Sequence, residues 1–118
     1  MGLSTHVLDT MHGRPAAGMA VALFAVDGDN TARCVKRFVL NQDGRHPDGL
    51  LLDAAGLQKG CYRLEFEVAD YFRALGVVLP EPNFLGRVRL DFGVAQPGQH
   101  YHVPLLVSPW SYSTYRGS

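Results

Sequence analysis

"CYRLEFEV", residues 61–68, alternates without a slip: Tyr62, Leu64, Phe66 and Val68 face one way, and Arg63, Glu65 and Glu67 face the other. "RVRLDFGV", residues 87–94, repeats the pattern, with Val88, Leu90, Phe92 and Val94 set against Arg87, Arg89 and Asp91. A period of two residues that is apolar on one side and charged on the other is a half-buried strand, because successive side chains leave a strand on opposite faces. Working outward, "MAVALFAV" (19–26) and "RCVKRFVL" (33–40) form another strand pair, joined by the turn letters "DGDN" (27–30). "NQDGR" (41–45), "LQKG" (57–60) and "AQPG" (95–98) are further turns. The first strand is "LSTHVLD" (3–9), closed by "HGRPAAG" (12–18), and a short strand lies around "GLLLD" (49–53). "QHYHVPLLV" (99–107) and "WSYSTYR" (110–116) are the last strand pair, cornered at Ser108-Pro109. Only "ADYFRAL" (69–75), which lacks alternation and precedes Gly76, predicts a helix.

About eight short strands with regularly spaced turns and one small helix predict an all-β, antiparallel β-sandwich. The 118 residues suit one domain with one core, spanning 1–118. Lys+Arg and Asp+Glu number 11 each, so no basic excess exists to hold nucleic acid or an anionic membrane. No apolar run is long enough to span a bilayer as a helix. The N-terminal residues lack the charged–apolar–small pattern of a secretory signal, and the expectation is a soluble cytoplasmic protein. Cys34 and Cys61 lack metal-like spacing and are expected to be free, buried thiols.

The last strand alternates Trp110, Tyr112 and Thr114 with Ser111, Ser113 and Tyr115, and holds neither Lys nor Pro. Edge strands ordinarily carry such blockers against unwanted pairing, so their absence predicts pairing with another chain in a homo-oligomer. The alternative is a strand paired within its own sheet.

Several residues bear chemistry. His6 shares a face of its strand with Ser4 and Leu8, opposite Leu3, Thr5 and Val7. His100 and His102 flank Tyr101 at i, i+2 and point to one face of a strand. With His6 they raise a zinc site with water as fourth ligand; the plainer alternative is one exposed and one core-facing histidine. Arg45 follows the tight turn "NQDG", where it is either a solvated loop residue or an anion-binding fork. Asp9 and Thr10 are expected to stabilise the turn that follows them. Ser118 offers a hydroxyl and a carboxylate if the tail is ordered. Nothing reads as a phosphate loop, a nucleophile elbow or a glycosidase carboxylate pair.

"LSTHVLDTMHGRPA" (3–16), "NQDGR" (41–45), "GCYRLEFEVADYF" (60–72) and "HYHVPLLVSPWSYSTYRGS" (100–118) together resemble the transthyretin-like family, and within it the 5-hydroxyisourate hydrolase branch, whose mark is the terminal "YRGS". The stretch "LPEPNFLGRVRL" (79–90) departs from the family pattern, with Leu85-Gly86 where an aromatic-rich segment ending in Pro is usual. The resemblance implies a prealbumin-like sandwich assembled as a homotetramer with a site between subunits. It implies hydrolysis of the cyclic amide of 5-hydroxyisourate in urate degradation, giving 2-oxo-4-hydroxy-4-carboxy-5-ureidoimidazoline, with neither metal nor organic cofactor. It also implies that His6, Arg45, His102 and Ser118 carry the chemistry and that Arg45, Tyr115, Arg116, Gly117 and Ser118 bind the small-molecule substrate. A non-enzymatic hormone carrier, as in vertebrate transthyretin, is the other role that the family implies. Such carriers lack the two histidines matched here by His6 and His102, and the "YRGS" ending.

Overall fold

The computed structural model describes all residues from Met1 to Ser118. The elements run β1 (Gly2–Asp9), β2 (Arg14–Pro15), β3 (Ala20–Val26), β4 (Ala32–Val39), β5 (Leu52–Asp53), β6 (Gly60–Glu67), α1 (Val68–Ala74), β7 (Arg87–Val94), β8 (Tyr101–Val107) and β9 (Tyr112–Thr114). They form two sheets. One has the order β2-β1-β8-β9, with β5 also paired to β1, and the other has the order β4-β3-β6-β7. This is the expected sandwich, with one difference: β1 pairs with β8 in parallel, while every other pair is antiparallel. Alternation within a strand reports burial, not the direction of its neighbour, so the parallel pair left no mark in the sequence.

That parallel register aligns Leu3 with Tyr101, Thr5 with Val103, Val7 with Leu105 and Asp9 with Val107. All eight are buried, and the apolar ones join Leu23, Leu64, Phe66, Phe72 and Val88 in a core of 22 residues between the sheets. Removing this apolar area from water is the main drive for the two sheets to close on each other. The outer face of the second sheet is charged. Arg63 pairs with Asp91, Arg89 with Glu65, and Arg87 with Glu67 across β6 and β7, the expected polar side of both strands.

Helix α1 begins one residue before its predicted start and ends where Gly76, at φ +84°, turns the chain out. It buries Val68, Ala69, Tyr71 and Phe72. Its tie to the sandwich is polar. Asp9 is fully buried, and its carboxylate accepts hydrogen bonds from the Tyr71 hydroxyl (2.8 Å) and the His12 backbone N–H (3.0 Å), and lies 2.6 Å from His12 Nδ1. Burial alone would raise the Asp9 pKa; the bonds from His12 and Tyr71 outweigh it and hold the carboxyl below its usual range. Tyr71, buried and facing that carboxylate, is pushed up to about 12. Asp9 is thus the turn-stabilising residue expected from the sequence, and it also anchors the helix. Thr10 joins the turn to β8 by donating to the Val107 carbonyl (3.1 Å).

Three expectations need correction. Cys34 and Cys61 are free, but both are exposed, because they fall on the outward phase of β4 and β6. The last strand is shorter than its alternation, with only Tyr112–Thr114 in regular pairing with β8. Arg14–Pro15, expected within a turn, pairs with the end of β1 as a two-residue strand.

Asp9→Asn removes the charge that organises this network, and charged hydrogen bonds contribute about 1.5–3 kcal/mol each. The variant is expected to lose about 2 kcal/mol of stability at pH 7, measured by denaturant unfolding. Because the folded carboxyl titrates below its unfolded value of about 3.9, the gap between wild type and variant should hold above that pH and shrink as the pH falls below it.

Candidate functional site

Outward from the core-facing phase of β1 and β8 lie Ser4, His6 and Leu8, with His102, Pro104 and Leu106 beside them; the register pairs Ser4 with His102 and His6 with Pro104. The parallel ladder therefore places both expected histidines on one outer face of the sheet. Each imidazole is only half-buried.

Arg45 reaches this face through its turn. Asn41 Oδ1 accepts from the N–H of Asp43 (2.9 Å) and of Arg45 (3.1 Å), and the Asn41 N–H donates to the Arg45 carbonyl (2.9 Å). Gly44 sits at φ +71° and its carbonyl accepts from the Val7 N–H (2.9 Å); a Cβ there would come 2.6 Å from the Val7 carbonyl oxygen. Only glycine lets the turn press this closely on β1. The result is an isolated bridge between His6 and Arg45.

The tail arrives by a second bridge, between His102 and Gly117, with the Gly117 N–H donating to the His102 carbonyl (2.7 Å) and the His102 N–H to the Gly117 carbonyl (3.1 Å). A Cβ on Gly117 would lie 3.1 Å from His102 Cβ and Cδ2, so the glycine backbone is packed against the ring. Ser118 follows, exposed. Arg116 turns to the sheet edge, where its guanidinium lies 4.3 Å from the Tyr101 ring centroid and donates to the His100 carbonyl (3.0 Å). With Tyr115 it lines a cleft of about 440 Å³ between the edges of β7 and β9. The structure thus gathers His6, Arg45, His102 and Gly117 on one face, with Ser118 adjoining, and places Arg116 at the cleft in the same chain.

The electrostatics keep both imidazoles neutral. Burial lowers the His6 pKa, and the Arg45 charge lowers it further against an upward pull from Asp43. Burial also lowers that of His102, aided by Arg45, His6 and His100. His100 precedes β8 and turns toward Ser4: Ser4 Oγ lies 3.0 Å from His100 Nε2 and 2.8 Å from His102 Nδ1. Two ring nitrogens are thereby engaged by one hydroxyl, and no three His, Cys, Asp or Glu side chains of the chain come together as a group that could hold a metal ion. The set His6, His100 and His102 raised from the sequence is not assembled as such a group. Nor is His100 simply exposed or core-facing: it joins His102 through Ser4, a residue whose part the sequence marked only by its phase with His6. A face bearing two neutral imidazoles beside a guanidinium can accept a proton from water and hold a developing oxyanion. No helix of the chain is long and apolar enough to cross a membrane.

Comparison with known proteins bears on this geometry. The profile of the HIUase/Transthyretin family matches residues 3–117. A 5-hydroxyisourate hydrolase of Ralstonia nicotianae is 55% identical over 116 residues, 98% of this chain and 97% of that protein. The structure of Klebsiella pneumoniae 5-hydroxyisourate hydrolase superposes with a TM-score of 0.78 at 35% identity, over 100% of both chains. Sea bream transthyretin in complex with thyroxine superposes with a TM-score of 0.84 at 26% identity, over 99% of this chain and 95% of that one.

Replacing the Arg45 charge tests the arrangement directly. In Arg45→Gln the titration midpoints of His6 and His102, followed by NMR, are expected to rise toward 6.5, since a nearby positive charge disfavours imidazolium. Unchanged midpoints would mean that the guanidinium does not face the pair.

Proposed function

The chain belongs to the HIUase/Transthyretin family, and from that premise we propose that it is a 5-hydroxyisourate hydrolase: it opens the cyclic amide of 5-hydroxyisourate to give 2-oxo-4-hydroxy-4-carboxy-5-ureidoimidazoline in urate degradation. The convergence of His6, Arg45 and His102 on one sheet face carries this reading, and the identity to hydrolase relatives over nearly the whole chain supports it. Residues 1–118 act as a single transthyretin-like domain in the cytoplasm.

Neutral His6 takes a proton from water, whose oxygen adds to the amide carbonyl carbon. The carbonyl oxygen becomes an oxyanion and is held by the Arg45 guanidinium. As the carbon–nitrogen bond breaks, the leaving nitrogen takes a proton from His102. Burial and the Arg45 charge keep His6 neutral near pH 7, the form that a general base requires. No metal or organic cofactor enters these steps. Tyr115, Arg116, Gly117 and Ser118 help to bind the substrate, and the hydroxyl or the carboxylate of Ser118 holds the water or a histidine.

The site is completed between subunits of a homotetramer. The His6–His102 face is open in one protomer, with both rings half-exposed. β7 and β9 end their sheets without a further strand, and β9 lies exposed. Edge-to-edge pairing of those strands and stacking of two such dimers would cover the open face and bring Arg116 of one subunit toward a neighbour's site.

The likeness to the thyroxine-bound carrier favours one other reading, reversible binding without turnover. The two part on a single measurement, the ultraviolet decay of freshly made 5-hydroxyisourate. The wild-type protein should accelerate it, with the acid limb of the rate below pH 6.5 because both imidazoles titrate below their ordinary value. His6→Ala and His102→Ala should each cost about 10²–10⁴ in kcat, and Arg45→Gln about 10²–10³. Binding with no acceleration by the wild type would overturn the hydrolase reading.

A further inference from the structure

We propose that His100, Ser4 and His102 form a proton relay in which a proton taken from solvent at His100 is passed through the Ser4 hydroxyl to the inner nitrogen of His102. The inference rests on the hydrolase reading for its use in catalysis, but its geometry is independent of it. Ser4 Oγ is within hydrogen-bonding distance of both rings, at 2.8 Å from His102 Nδ1 and 3.0 Å from His100 Nε2. A serine hydroxyl has one hydrogen to give, so it donates to at most one of these nitrogens, and at least one of them must itself carry a hydrogen that the hydroxyl accepts. In the relay Ser4 donates to His102 Nδ1 and accepts from His100 Nε2, which locks the two imidazoles in complementary tautomers: a lone pair on the one inner nitrogen and a proton on the other.

The lock answers a difficulty in the reaction. A neutral imidazole that gives its outer proton to a leaving nitrogen would become an anion, an unfavourable state. Charging His102 beforehand is disfavoured by its burial and by Arg45, His6 and His100, the groups whose charges act on it. The relay avoids both. His100 starts with a proton on each ring nitrogen. His102 Nε2 gives its hydrogen to the leaving nitrogen, the Ser4 O–H hydrogen moves to His102 Nδ1, and the His100 Nε2 hydrogen moves to Ser4 Oγ. His102 ends neutral with its proton on the inner nitrogen, Ser4 is unchanged, and His100 ends neutral. No bond to carbon changes within the relay, and charge is conserved. His100 lies half-exposed just before β8, where solvent reaches it, and the Arg116 donation to its carbonyl ties down its backbone. The opening side chain of β1 and the approach to β8 meet because the parallel register puts Ser4 opposite His102. Ser4 and His100 are thus positioning residues that act through His102.

The test uses Ser4→Ala, Ser4→Thr and His100→Gln in the full chain, with unfolding curves to establish that each folds. Ser4→Ala and His100→Gln should lower kcat about tenfold at unchanged KM, less than the 10²–10⁴ expected for a group that meets the substrate. Raising the concentration of imidazole buffer should restore much of the loss, because an external acid replaces the relay, while the wild-type rate stays indifferent to buffer. Ser4→Thr, which keeps the hydroxyl, should recover most of the rate. Wild-type kcat in both Ser4→Ala and His100→Gln, or a loss that neither buffer nor threonine repairs, would overturn the relay. ¹⁵N NMR of the imidazoles separates its fate from that of the hydrolase reading. In the wild type one inner nitrogen should carry a proton and the other not, a complementary pairing that Ser4→Ala abolishes. The same protonation at both inner nitrogens in the wild type would refute the relay even in an active enzyme; complementary protonation in an inactive protein would uphold the relay while the proposed reaction fell.

Discussion

The parallel pairing of β1 with β8 is the constraint from which the rest of the structure follows. It is the only parallel ladder in the molecule, and it joins residues nearly a chain's length apart. Strand side chains alternate between faces, so one register settles two surfaces at once. Leu3, Thr5 and Val7 meet Tyr101, Val103 and Leu105 in the core, while Ser4 and His6 meet His102 and Pro104 outside. A slip of one residue would turn the histidines inward and the leucines out, and the loss of core burial would oppose it far more strongly than anything the site contributes. The core thus holds the site in register.

Glycine supplies the remaining approach. Gly44 lets the Asn41 turn bring the Arg45 backbone against His6, and Gly117 lets the tail lie flat on His102. At both places a β-carbon would meet atoms already in contact. The guanidinium delivered in this way is the charge that, after burial, lowers the pKa of both imidazoles, and the anion-holding role proposed for it would use the same group. At the far end of β1, the buried Asp9 carboxylate joins the turn to α1 through His12 and Tyr71. The two ends of one strand therefore use polar chemistry differently, fully satisfied and buried at Asp9, half-exposed and adaptable at Ser4 and His6.

The outer face that bears the histidines is open in the single sandwich. The chain has one core, and that core lies between the sheets; the face beyond it carries half-exposed polar groups. The unprotected edge at β9 and the open face at β1 and β8 are two surfaces of the same sheet, so an assembly through the first would govern access to the second.

Much of this was legible in the residues themselves. Period-two alternation in 61–68 and 87–94 marked the strands almost to the residue, because half-burial imposes the pattern locally, and the lack of it in 69–75 marked the helix. The phase of β1 put Ser4 on the side of His6, and the motifs around His6, Arg45 and His102 marked the candidate site. The outward phase of Cys61 could be read from the alternation of 61–68, but the sequence could not say that β1 runs parallel to β8, that His100 and His102 share one hydroxyl, or that Asp9 reaches Tyr71. Each of these is a relation between segments distant in the chain, and alternation reports only which side of a strand is buried, not what lies across from it. Local pattern determined the elements and their faces; the long-range register, settled by packing of the common core, decided which of those faces meet.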